Sequence, residues 1–174
     1  VGERPLVISG EDSWMGMMWF TYLSTRLHGP DFYNDLIQGK IDYNDTRVRD
    51  VLTTWRTLID SRYFVEEPQR LDTLQTMTSL VRGDDGQLHS QKAAMVLGAP
   101  FHVDELPPTF RTELDFFAFP EINTNIAQAE LVETIGYMAP AGGEHVAQTL
   151  AFLNYMASAD AQLTLSQHSR GSTT

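Results

Sequence analysis

The chain has 174 residues, 42% hydrophobic and 20% charged, which is enough to bury a sizeable core as one domain or two small lobes and too apolar for a disordered segment. A formal net charge of −11 argues against nucleic acid or an anionic membrane surface as partner, since both are bound by Lys and Arg that displace counterions, and makes a phosphate-rich ligand a poor fit. The absence of cysteine removes disulfides, thiolate catalysis and zinc–thiolate sites from these residues, and no apolar run approaches the ~18 residues of a membrane span.

Residues 5–9 read as a strand, followed by a helix over 14–28 in which Met18, Tyr22 and Leu23 share a face; Asp12 or Ser13 can cap it, and Gly29-Pro30 ends it. A shorter helix follows over 30–38. Asp45 caps the clearest amphipathic helix, where Val48, Val51, Leu52, Trp55, Leu58 and Ile59 keep the helical period. Residues 72–82 predict another helix, closed by the turn-forming Gly83-Asp84-Asp85-Gly86. The apolar run 93–97, with charge before it and Gly98 and Pro100 after it, predicts a buried strand. Prolines break 103–114 into partial helix, and the short aromatic run 116–120 favours a strand. The polar stretch 121–133 suits a crossover; 134–139 reads as a strand, 144–157 as a helix carrying Leu150, Phe152, Leu153 and Met156, and Ser158 caps a last helix ending near 168. Strands separated by helices imply an α/β layer architecture.

Five segments in order resemble one family. Gln91 to Phe101, QKAAMVLGAPF, is similar to the GKAAM-x-x-x-GSW stretch of the maltose-binding-like extracellular solute-binding proteins of bacterial ABC importers, with Phe101 where that family usually has Trp. PLVISGEDSW, ending at Trp14, resembles the family's strand-glycine-acid-Trp segment, and Gly29-Pro30-Asp31-Phe32-Tyr33 its GGPDFY junction. LDFFAFP, from Leu114, is similar to the strand written there as y-G-v-a-P-f-P, while Gly136-Tyr137-Met138-Ala139-Pro140 and residues 147–162 follow its G-G-x-x-I-P and A-x-x-F-L-x-F-L-x-S-x-x-A-Q patterns. The resemblance implies a type II periplasmic-binding-protein-like α/β fold. Members are longer, so the chain is expected to be an incomplete fragment: most of a C-terminal lobe at 1–119, an interlobe crossover at 120–133, and a strand and helices at 134–174 returning toward the other lobe. Such a fragment alone is expected to bind no sugar with useful affinity.

The same resemblance implies a substrate-binding component of an ABC importer, extracytoplasmic, capturing a sugar or related polyhydroxylated solute between lobes and delivering it to the transmembrane permease. It would touch the membrane only through that permease or a missing anchor, and it needs no cofactor. In a sugar cleft, aromatic faces stack on pyranose rings while carboxylates and amides take the hydroxyls, which singles out Asp12, Trp14 and Phe101. Trp14 and Phe101 each follow a strand and are expected to project toward one open face. Tyr137 stands where the family frequently places a ligand aromatic, and Arg170 could reach solute hydroxyls from the last loop. Simpler roles stand beside these: Trp14 packing as a helix start with Asp12 as its cap, Tyr137 packing at a hinge, Arg170 in solvent. Trp19 and Trp55 lie among apolar neighbours at helical spacing and are expected in the core.

Catalysis has no such support. His28, His89, His102, His145 and His168 are scattered without metal-ligand spacing, and Asp84-Asp85-Gly86 lacks the alternating oxygens of a calcium loop. Glu11-Asp12 and Glu66-Glu67 are adjacent pairs, whereas glycosidases need facing carboxylates ~5 to 9.5 Å apart. A carbohydrate-active enzyme and an acidic protein-interaction domain are the rival readings, separable from a solute receptor by glycoside turnover or by a protein partner bound without solute.

Overall fold

The computed structural model describes residues 4–80, 93–112, 114–132 and 136–168. The chain divides into two compact units, Val1–Leu131 and Val132–Thr174.

The first unit is built on two parallel strands, β1 (Arg4–Val7) and β2 (Ala93–Val96), registered Arg4 to Ala93, Leu6 to Met95 and Val7 to Val96. Parallel neighbours need a long crossover, and among its described residues the intervening chain carries four α-helices. Residue 64 adds a single parallel bridge on the other edge of β1, where Leu6 donates to the Tyr63 carbonyl at 3.0 Å and Val65 donates to that of Leu6 at 2.9 Å. α1 (Ser13–His28) stops because Gly29 adopts φ of 89°, with its N–H returned to the Thr25 carbonyl at 3.1 Å. Pro30 then opens α2 (Pro30–Ile37) at a position whose N–H has no helical partner anyway.

α3 (Thr46–Asp60) begins as its sequence predicts: Asp45 accepts from the Arg47 backbone N–H at 2.9 Å. Its apolar stripe is wider than its buried face. Val48 and Val51 are buried with Trp19, Leu23, Phe32, Leu36 and Phe64, Trp55 and Leu58 pack at the margin, and Leu52 and Ile59 stay half-exposed. Trp19 sits edge-on to Phe64 and Phe119 at 5.2 and 5.6 Å, so both Trp19 and Trp55 serve the core.

α4 (Thr73–Thr78) is shorter than predicted within the described residues, and the turn at 83–86, with His89, lies outside them. Its start is closed by a reciprocal pair: Gln75 N–H donates to the Asp72 carboxylate at 2.7 Å, and Asp72 N–H to the Gln75 side-chain oxygen at 3.1 Å. The proline-broken stretch forms a 3₁₀ turn, Pro100–Glu105, and α5 (Pro108–Arg111).

Two predicted strands do not form among the described residues. Residues 114–132 run without strand pairing, with Phe116 and Phe117 exposed. Among the described residues no strand lies beside 116–120 to complete a ladder, and this segment is fixed instead by Phe119. That ring stacks on Tyr22 at 5.0 Å, and its carbonyl accepts from Arg26 at 3.2 and 3.3 Å. Of the other predicted strand, 134–139, residues 134 and 135 lie outside the described set and 136–139 are unpaired.

The second unit carries α6 (Val146–Met156) and α7 (Ala159–His168). Ser158 caps α7 as predicted, accepting from the Ala161 N–H at 3.3 Å, while the Gln162 amide donates to the Met156 carbonyl at 2.7 Å.

Candidate functional site

Parallel strands send both of their following loops out of the same sheet edge, so the loop after β1 and the loop after β2 meet. The first holds Ser9, Gly10, Glu11 and Asp12 and leads into Trp14. The second turns at Gly98 and presents Phe101 and His102.

The first loop is clamped onto residues 68–73. Gly10 donates to the Pro68 carbonyl at 2.8 Å, and a Cβ at this glycine would fall 2.6 Å from the Gln69 Cα, so only glycine permits the approach. The buried Ser9 hydroxyl donates to the Leu71 carbonyl at 2.8 Å and accepts from the Asp12 N–H at 3.0 Å. Asp12 does not cap its own helix with its side chain. Its Oδ2 accepts from the Thr73 N–H at 2.8 Å and the Thr73 hydroxyl at 2.5 Å, and the Ser9 hydroxyl lies 3.4 Å away. It therefore satisfies the first free N–H of α4, a neighbouring helix. The Thr73 hydroxyl, aided by the Thr73 amide and Ser9, outweighs partial burial and holds this carboxyl below its ordinary pKa. Among the described residues Oδ1 has no protein partner.

In the second loop the Ala99 N–H donates to Nδ1 of His102 at 2.8 Å, which closes the turn from within. Gly98 leaves room for that ring, since a Cβ there would lie 3.3 Å from Nδ1. The loops meet as three aromatic rings. The His102 imidazole lies parallel to the Trp14 indole, 4.6 Å between centroids and 4° between planes. Phe101 is tilted by 36° to Trp14 at 6.4 Å and by 39° to His102 at 4.2 Å. His102 is buried, Trp14 half-buried and Phe101 exposed. The result is a corner with an aromatic wall and an aromatic rim.

Trp14 and Phe101, expected on one face from different loops, are thus within ring contact, and Asp12 stands two residues before Trp14 in a fixed loop. Tyr137 belongs to the second unit, where it is exposed, and Arg170 lies outside the described residues. Two residues of this corner, His102 and Thr73, carry no motif. His102 reads in sequence as one of five scattered histidines, and only its position beside Phe101 hints at the site. No group of three or more His, Asp or Glu side chains suited to a metal occurs among the described residues.

Aromatic rings beside a fixed acidic loop at the carboxyl ends of parallel strands suit the holding of a small molecule in an α/β receptor. The chain belongs to the family described as bacterial extracellular solute-binding protein, which matches residues 2–163. Among solved structures it is similar to the bacterial solute receptor AcbH, at 25% identity and a TM-score of 0.60, over 71% of this chain and 29% of that one. AcbH is described as having an exclusive substrate preference for β-D-galactopyranose. No curated protein matches the chain. The fold is accordingly α/β of the type II periplasmic-binding-protein-like kind, and this chain accounts for part of it. No helix among the described residues is long and apolar enough to cross a membrane.

Proposed function

We propose that this chain supplies one wall of the solute site in the substrate-binding component of a bacterial ABC importer, and that the solute is a sugar. The observation that carries this is the meeting of Trp14 and Phe101 at 6.4 Å from two strand-end loops, which offers apolar ring faces where an α/β sheet receives ligands. The tilt between them suits a pyranose resting its apolar face on the indole with an edge toward Phe101. Asp12, held ionised by Thr73, keeps one oxygen to accept a sugar hydroxyl. Residues 1–119 act as part of one lobe, 120–133 as the crossover and 134–174 as the returning segment. The protein works outside the cytoplasm, binds rather than transforms its solute, and hands it to the transmembrane permease.

Likeness to a receptor with a preference for β-D-galactopyranose makes a monosaccharide the first candidate. Thermal-shift screening of the full-length protein against pyranoses, disaccharides and polyols tests it, because a ligand at ~100 times its dissociation constant adds about 2.7 kcal/mol of stability. Stabilisation by one sugar, weakened by Trp14→Ala, supports the reading. No stabilisation by any sugar, or turnover of a glycoside, overturns it.

A further inference from the structure

Resting on the reading of Trp14 as a solute-stacking residue, we infer that His102 is its positioning residue: the imidazole covers one face of the indole and leaves the opposite face as the one that receives solute. Three features of the structure converge on this. The two rings are parallel within 4° at 4.6 Å, so the imidazole stacks on one face of the Trp14 indole. His102 is itself held in place, being buried and tied through Nδ1 to the Ala99 N–H at 2.8 Å. Gly98 keeps open the space the imidazole fills, as an added Cβ would stand 3.3 Å from Nδ1.

The consequence is a mechanical link between two loops that follow different strands. The bond to Ala99 sets the shape of the second loop and hence the place of Phe101, while the ring sets the plane of Trp14 in the first. One side chain thereby fixes both ring planes that a solute would meet, which limits the rotamer freedom lost on binding. His102 need not touch the solute to act in this way.

The test is a double-mutant cycle in the full-length protein with two readouts, the near-ultraviolet circular dichroism of the indole and titration with β-D-galactopyranose. His102→Ala is expected to alter the indole signal, and the alteration should vanish in a Trp14→Phe background. It should weaken galactose binding by about three- to tenfold when Trp14 is present and by under about twofold in a Trp14→Ala background. His102→Phe, which keeps a flat ring and loses both ring nitrogens, should retain the indole signal and serves where the alanine variant does not fold. An unchanged signal in His102→Ala, a lost one in His102→Phe, or equal weakening in both backgrounds overturns the inference. If wild-type protein binds no sugar, or Trp14→Ala leaves sugar binding intact, the solute-site reading fails instead, and the dichroism cycle still decides whether His102 orients Trp14.

Discussion

Arg26, almost wholly buried in α1, reaches Glu130 at 2.6 Å across 104 residues of sequence. The same guanidinium donates to the carbonyls of Phe119 and Ala129, the latter at 2.5 Å, and lies 5.4 Å from the Tyr22 ring centre. Tyr22 in turn donates to the other Glu130 oxygen at 3.0 Å. A segment without strand pairing is thereby held on α1.

The carbonyl bonds should matter more than the ion pair. Glu130 is half-exposed, so solvent screens its charge, and Glu130→Gln is expected to lower stability by under ~1 kcal/mol. Arg26→Ala strands two carbonyls and a carboxylate and should remove about 3 kcal/mol. Denaturant titration of both variants checks this, and equal losses would mean that the ion pair dominates.

Gly10 is expected to tolerate no side chain. Its Cβ would sit 2.6 Å from a backbone atom, which cannot rotate away, so Gly10→Ala should destabilise the protein by about 2 kcal/mol. Gly136→Ala, with nothing within 4 Å of the added carbon, should stay within ~0.5 kcal/mol of wild type. A Gly10→Ala melting curve that overlays wild type would mean the loop moves freely off Gln69.

Asp45 should set part of the acid response. Bonds from the Arg47 guanidinium at 2.8 and 2.9 Å, with the Arg47 N–H, bring its carboxyl down to about 2 from an ordinary 3.8. A folded value below the unfolded one stabilises above the unfolded pKa, and that contribution is lost as pH falls from about 4 through 2. Urea midpoints measured across this range should fall less steeply in Asp45→Asn than in wild type. Parallel slopes would remove Asp45 from the acid response.

What can be read from the sequence follows the range of the interactions involved. The Asp45 cap and the 3.6-residue stripe of α3 are local, and the run at 93–97 is bounded by its own charge and glycine, so these elements are legible. A strand at 116–120 or 134–139 depends on a partner elsewhere, and aromatic content cannot supply one. Arg26 looks like any surface arginine until the carbonyls that bury it are known. At the site, Trp14 and Phe101 are legible because each follows a strand end. Asp12 stands out in the sequence as an acid close to Trp14 but not as the cap of a distant helix, because the N–H that it satisfies belongs to Thr73, 61 residues away.

Trp14 and Trp19 lie on the same helix five residues apart and should respond oppositely to truncation. Trp19 is buried against Phe64 and Phe119, so Trp19→Ala should cost about 3 to 5 kcal/mol of stability and lower sugar binding only as the fold is lost. Trp14 is half-buried, with one face on His102 and Phe101 at its side, so Trp14→Ala should remove a stacking contact with the solute. Stacking of nucleobases on aromatic residues suggests a loss of about 1 to 3 kcal/mol in binding. Its effect on stability should be smaller, about 0.5 to 1.5 kcal/mol for the lost pairing with His102. Melting and calorimetric titration of the two variants of the full-length protein, run side by side, separate the roles. If Trp14→Ala melts as early as Trp19→Ala while its remaining folded protein binds sugar with unchanged affinity, Trp14 is a packing residue and the solute wall has to be sought at Phe101.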